Sequence, residues 1–202
     1  MHNRGMKRYA AVFAALFCAA AAIQDVDKGK IIGSPTAPIR IDVYSDFECP
    51  ACRNFHEATL PLIIKDYVMA GKVYVVNREF PLPIAAHQFS REEAYYATAA
   101  ARLGLYQPVA DALFANQSVV IAGGNPWPIL QKVLTPKQQK DVQTLAKDPS
   151  ILAEVQRDVD TGNKERISST PTIIVTHGTQ HFPLPYPINY NILRSMLDGF
   201  LK

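Results

Sequence analysis

Between a short alternating apolar run and a long helical one, the chain places Cys49-Pro50-Ala51-Cys52. This strand–CxxC–helix junction limits the fold more than any other feature. Upstream, Ile39, Ile41 and Val43 alternate with Arg40 and Asp42, the period of a half-buried strand. Downstream, Phe55, Leu60, Leu62, Ile63, Tyr67 and Val68 recur at helical spacing, and Gly71 closes the helix. Residues 72–77 (KVYVVN) read as the next strand. A strand, a long helix and a second strand in that order imply a parallel pair joined by a right-handed crossover.

The remainder is punctuated differently. Residues 24–37 read as a polar loop, and the turn-prone 80–83 (FPLP) follows the second strand. Helices then succeed one another. Ser90 with Glu93 has the spacing of a capping box before an Ala-rich helix that runs to Gly104. A second helix spans about 107–115, and Thr135-Pro136 with Gln138 starts a third. Asp148-Pro149 starts a fourth, carrying Ile151, Leu152, Val155 and Val159. After Ser168-Ser169, the stretch 170–175 (TPTIIV) reads as a buried strand. His177-Gly178 turns the chain, His181-Phe182 lies on a returning strand, and 189–201 is an amphipathic helix. The expected class is α/β: a thioredoxin-like fold, over 23–83 and 168–202, with an α-helical domain inserted at 84–167.

The N-terminus has another logic. Arg4, Lys7 and Arg8 precede a 15-residue apolar run from Tyr9 to Ile23, and Ala20-Ala21-Ala22 offers small residues for cleavage. That is the layout of a signal peptide over residues 1–22, too short for an ordinary membrane span. An uncleaved anchor is the alternative. A lipoprotein cut at Cys18 fits poorly, because bulky Phe17 precedes it. The segment holds three of the 21 basic residues and no acidic one, leaving 18 basic against 18 acidic. A near-neutral mature chain gives no reason to expect nucleic acid as a partner. It also holds one of the three cysteines, so the exported chain keeps only Cys49 and Cys52. Such a chain has no disulfide framework, and its one pair calls for another explanation.

Disulfide exchange supplies it. At the first turn of a helix, Cys49 faces unpaired backbone N–H groups that stabilise a thiolate. Pro50 suits the first helical position, where its missing N–H was unpaired in any case. Cys52 lies over the same turn and can resolve a mixed disulfide formed at Cys49. Ala51 brings neither charge nor a hydrogen bond, while Asp46 and Glu48 would oppose a thiolate if they pointed inward. Other uses of the pair fit less well. A zinc site needs two more ligands, and His56 alone does not complete one. A c-type haem site needs His after the second cysteine, where this chain has Arg53. A structural disulfide across four residues closes almost no loop. No metal or other cofactor is called for.

Thr170-Pro171 is the second feature, because proline cannot donate to a strand ladder. A cis bond there would turn the Thr170 backbone toward the cysteines and offer an edge to a bound peptide; the residues alone do not require it.

The segment from Tyr44 to Cys52 (YSDFECPAC) resembles the active-site segment of the DsbA-like thioredoxin superfamily of exported bacterial oxidoreductases. So do 78–82 (REFPL), Tyr106 with 111–117 (DALFANQ), and 169–172 (STPT). The resemblance implies Cys49 as nucleophile, Cys52 as its partner, and Pro171 as cis. It also implies a periplasmic monomer acting on unfolded exported proteins and recycled by a membrane redox partner. Three departures bear on direction. Strong oxidases of the family carry His in the dipeptide, an apolar residue before the cis-proline, and a carboxylate six residues before the first cysteine; here these are Ala51, Thr170 and Val43. A dithiol oxidase, a reductase or isomerase, and a non-catalytic peptide-binding module therefore stay open. Other residues read as structural: Tyr95, Tyr96 and Tyr106 as helical core, Trp127 as loop packing, His56 as an exposed helix residue, His87 as a polar contact. Phe47, Pro50 and Pro171 are expected to form an exposed peptide-binding face.

Overall fold

The computed structural model describes residues 28–202, so the signal peptide expected over 1–22 lies outside the described residues. Lys28–Lys30 form one 3-10 turn and Ile31–Ile32 a two-residue strand, β1, where the sequence suggests only loop. Two residues are too few for alternation to register. β2 (Ile39–Ser45) leads into α1 (Pro50–Asn54). The helical run continues through a π turn (Phe55–Thr59), α2 (Leu60–Ile63) and a second π turn (Ile64–Val68). Gly71 reverses the chain at φ +67°, a conformation side chains resist. β3 (Val73–Glu79) then pairs parallel with β2, from Ile39 opposite Val73 to Ser45 opposite Glu79.

Six helices intervene: α3 (Ser90–Ala101), α4 (Tyr106–Ala115), α5 (Gln117–Ile121), α6 (Trp127–Leu130), α7 (Pro136–Leu145) and α8 (Pro149–Lys164). β4 (Thr172–His177), β5 (Gln180–Pro185) and α9 (Tyr190–Phe200) complete the chain. The sheet order is β1-β3-β2-β4-β5, with β4 antiparallel to both β2 and β5. β2 thus has a neighbour on each side, and Ile39, Ile41 and Val43 are buried beneath the α1–α2 run and α9 with Phe55, Ile63, Leu193 and Leu197. On the other face, Tyr44 and Ile174 pack with Phe80 and Ile167. Gly162 of α8 lies so close that a Cβ there would sit 2.6 Å from the Phe80 ring. A separate core fills the inserted helices and reaches Phe47, Cys49 and Cys52.

The helix starts correct two expectations. Thr135 and Gln138 do form a capping box, with reciprocal bonds of 3.4 and 2.9 Å, and Asp148 accepts from the Ser150 amide at 2.8 Å. Ser90 and Glu93 form none: Phe89 holds the cap position, and the Ser90 hydroxyl and both Glu93 carboxyl oxygens have no hydrogen-bond partner. The donors of that turn are met from another part of the chain, described below. Trp127 opens α6 rather than packing a loop, its ring 5.2 Å from Tyr96. Among the described residues no helix is long and apolar enough to cross a membrane.

The Cys49–Cys52 candidate active site

Between the end of β2 and the start of α1, the chain has only 46–49 in which to leave the sheet edge and enter a helix. That loop is held by atoms distant in sequence. Asp46, its side chain fully buried, accepts from the Glu48 amide at 2.9 Å and the Leu82 amide at 2.8 Å, and pairs with His87 Nδ1 at 2.8 Å. Glu48 Oε2 accepts from the Phe89 and Ser90 amides at 2.7 and 2.6 Å, so it caps α3 in place of Ser90. Gln117 Nε2 donates to the Phe47 and Cys49 carbonyls at 2.6 and 3.0 Å. The carboxylates expected to oppose a thiolate are engaged by backbone amides instead.

Cys49 sits at the N-cap of α1 with extended geometry (φ −83°, ψ 117°), and Pro50 follows at the first turn. Its sulfur makes no full cap hydrogen bond, but its thiol lies 3.3 Å from the Thr170 carbonyl, to which it donates. The Cys49 pKa is lowered to about 5. A hydrogen bond from the Cys52 thiol is the largest cause; burial opposes it, and Thr170 with the Cys52 and Ala51 amides adds to it. Cys52 is the reverse case. Burial, then the neighbouring Cys49, holds its thiol well above the ordinary range. Both cysteines are free thiols, Cys49 at 8% exposure and Cys52 at 0%. An incoming sulfur therefore reaches Cys49 first.

The Thr170-Pro171 bond is cis and both residues are buried. The 3.3 Å contact of Cys49 Sγ with the Thr170 carbonyl is what places this loop beside the cysteine pair. Pro50 is exposed and Ala51 half-buried. The expected exposed face is only partly realised: Phe47 is buried, its ring 4.9 Å from Phe114. His56 is not an exposed helix residue either, since it pairs with Asp111 at 2.7 Å and lies 4.6 Å from the Phe114 ring. His87 makes the polar contact expected of it, and Tyr106 is buried in the helical core. Among the described residues no group of three or more His, Cys, Asp or Glu side chains could hold a metal ion.

Two variants probe this geometry. Gln117→Ala leaves the Phe47 carbonyl without its donor, while the Cys49 carbonyl keeps the Cys52 and Arg53 amides at 3.0 and 3.2 Å. It is expected to lower stability by about 1–3 kcal/mol, read from a denaturant midpoint. Thr170→Val removes a buried hydroxyl that has no hydrogen-bond partner in this dithiol form and can turn toward either thiolate, lowering its pKa. The thiolate absorbance of Cys49 should then titrate at higher pH, by about one unit or less.

Known proteins resemble this chain in sequence and in fold. The chain is 26% identical to a Bacillus cereus protein named probable disulfide bond formation protein D, over 71% of this chain and 68% of that one. It is also 29% identical to part of a Salinispora tropica Na(+)/H(+) antiporter, covering 79% of this chain and only 23% of the antiporter. In structure it is similar to alpha-DsbA1 from Wolbachia pipientis (TM-score 0.69, 21% identity, 85% of this chain and 89% of that one). DsbA2 from Pseudomonas aeruginosa is similar too (TM-score 0.68, 24% identity, 85% and 93%). The fold is therefore thioredoxin-like with an inserted helical domain. The thioredoxin family model matches residues 25–191, which take in both cysteines, the inserted helices and the cis-proline loop, and the chain belongs to that family.

Proposed function

We propose that this chain is a thiol–disulfide oxidoreductase that gives its Cys49–Cys52 disulfide to exported proteins. The carrying observation is the asymmetry of the pair: Cys49 is the more accessible, with its thiolate stabilised, whereas Cys52 is sealed and its thiol held protonated. In the transfer, a client thiolate attacks Cys49 Sγ of the disulfide, and Cys52 leaves and takes up a proton. A second client thiolate then attacks the client sulfur of the mixed disulfide and expels Cys49 as a thiolate. The client dithiol is oxidised and the protein reduced, with sulfur, electrons and protons balanced. A low Cys49 pKa makes it a good leaving group and favours the dithiol form, which drives the transfer toward the client.

Pro50 starts the helix that stabilises Cys49, and Ala51 leaves that stabilisation without an added cation. Thr170 and Pro171 form the wall against which the client backbone lies. The protein acts as a monomer outside the cytoplasm on unfolded proteins, and a membrane redox partner restores its disulfide. The name of the Bacillus relative, a disulfide bond formation protein, agrees with this direction.

A second reading has one observation in its favour. Ala51 offers no positive charge beside Cys49, which suits a reductase or isomerase kept reduced by a membrane donor. Mixing the oxidised protein with an unfolded client bearing two thiols separates the readings: an oxidase transfers about one disulfide per molecule within the mixing experiment. A client that keeps both thiols while the protein keeps its disulfide contradicts the proposal. Protection of a client from aggregation by the double Cys49→Ser/Cys52→Ser variant, without turnover by the parent, would instead identify a binding module.

A further inference from the structure

Glu93 is fully buried, and neither of its carboxyl oxygens has a hydrogen-bond partner. Glu79 Oε1 also lacks a hydrogen bond but has the Lys30 ammonium at 3.8 Å; the carboxyl oxygen that shares the condition of Glu93 is Glu48 Oε1. The two belong to one turn of structure. Glu48 Oε2 caps α3 through the Phe89 and Ser90 amides, and Glu93 lies one turn into α3, its own amide bonded to the Phe89 carbonyl at 2.8 Å. Helical side chains lean toward the N-terminus of their helix, which directs the Glu93 carboxyl to the end that Glu48 caps. Two buried carboxyl groups, each with an oxygen lacking a donor, satisfy one another only when one of them keeps its proton.

We propose that Glu93 keeps a proton and donates it to Glu48 Oε1, so that an acid–carboxylate pair latches the Cys49 loop onto the inserted helical domain. The electrostatic surroundings agree. Glu93 is raised to about 9, by burial first and then by Glu48, Asp46, Glu92 and Glu79. The charged groups on the packed elements have other engagements: Arg102, just past α3, and Arg157 of α8 pair with Glu154, and Arg91 of α3 donates to Gln156. Lys30 of the 3-10 turn pairs with Glu79, Glu154 and Asp158, and Arg78 of β3 with Asp42 and Asp158. His87 pairs with Asp46, Asp111 of α4 with His56, and Lys137 of α7 with Asp141. A second negative charge beside Glu48 would thus go uncompensated. Glu93 is a positioning residue: it holds Glu48, and Glu48 precedes Cys49 in the chain. As pH rises through about 9 the proton leaves, two adjacent carboxylates repel, and the latch opens.

The protonation and the latch do not depend on the exchange reaction; only their effect on Cys49 rests on the proposed function. Infrared spectra of the reduced protein at about pH 8, where ordinary carboxyls are ionised, test the proton directly. Glu79, raised to about 7, is largely ionised there too. The parent should show a protonated carboxyl band that is absent in Glu93→Gln and displaced in Glu48→Gln. Hydrogen exchange at the Phe89 and Ser90 amides tests the latch. Glu93→Gln still donates to Glu48 and should stay within about threefold of the parent, while Glu93→Leu should exchange at least about tenfold faster. A carboxyl band that persists unchanged in Glu93→Gln overturns the proposal. Equal exchange in the Gln and Leu variants does so as well. Should Glu93→Leu not fold, the infrared comparison on the Gln and Glu48 variants still decides.

Discussion

Cys49→Ser is expected to lower the rate of disulfide transfer to a reduced client by at least about a thousandfold, because it removes the reacting atom. The fold should survive, since serine differs little in size and the N-cap position accepts it readily. Cys52→Ser separates the two sulfurs. Its Cys49 thiol stays near the surface, but no neighbour can displace a bound partner. Presented with a disulfide, it should accumulate a mixed disulfide at Cys49, visible by mass spectrometry as a client-sized adduct. Turnover retained by Cys49→Ser, or adducts found on the buried Cys52 of the parent, would show that the roles are assigned wrongly.

The second large effect is on pH. An ordinary thiol is only a few per cent ionised at neutral pH, whereas Cys49, lowered to about 5, is almost wholly ionised there. Alkylation of reduced Cys49 by a neutral reagent should therefore be flat above about pH 6 and half-maximal near 5. Below that it should fall about tenfold per unit. Cys52, pushed up by burial, should stay unreactive in the folded protein throughout. The same shift has a sign for stability. Because the folded value of Cys49 lies below its unfolded value of 9.0, its contribution to the reduced protein is present above pH 9 and is lost as pH falls through about 5. The disulfide form has no such group. The stability of the reduced form relative to the oxidised form should then decline as pH is lowered across that window, a trend that paired thermal melts would reveal. An alkylation midpoint near pH 8 or 9 contradicts both statements.

What could be read from the sequence was whatever is local. Cys49, Pro50 and Cys52 lie within one helical turn, and β2, the long helix and β3 follow one another without interruption, so periodicity and spacing suffice for them. The cis-proline loop was legible only through resemblance, because nothing in Thr170-Pro171 itself requires a cis bond. The misread features are non-local. Ser90 and Glu93 have capping-box spacing, yet the cap comes from Glu48, 42 residues from Ser90. Once Glu48 occupies the amides, the Glu93 carboxyl has no backbone donor left to serve. His56 looked like an exposed helix residue because its partner Asp111 lies 55 residues on. Gln117, which ties the Phe47 and Cys49 carbonyls from 70 and 68 residues away, gave no local signal beyond its place in a family-like stretch. Asp46 and Glu48 were weighed as charges against a thiolate, but each is engaged by amides that only the folded chain brings near.

That engagement, the thiolate at Cys49 and the sealed thiol at Cys52 meet in one quantity, the equilibrium between dithiol and disulfide. Incubating the protein with defined glutathione ratios and counting its free thiols measures it. Stabilisation of the Cys49 thiolate predicts a reduction potential above the roughly −270 mV of thioredoxin, so that the disulfide form oxidises client dithiols. A potential at or below about −270 mV would contradict the account, making the pair a source of electrons rather than of disulfides.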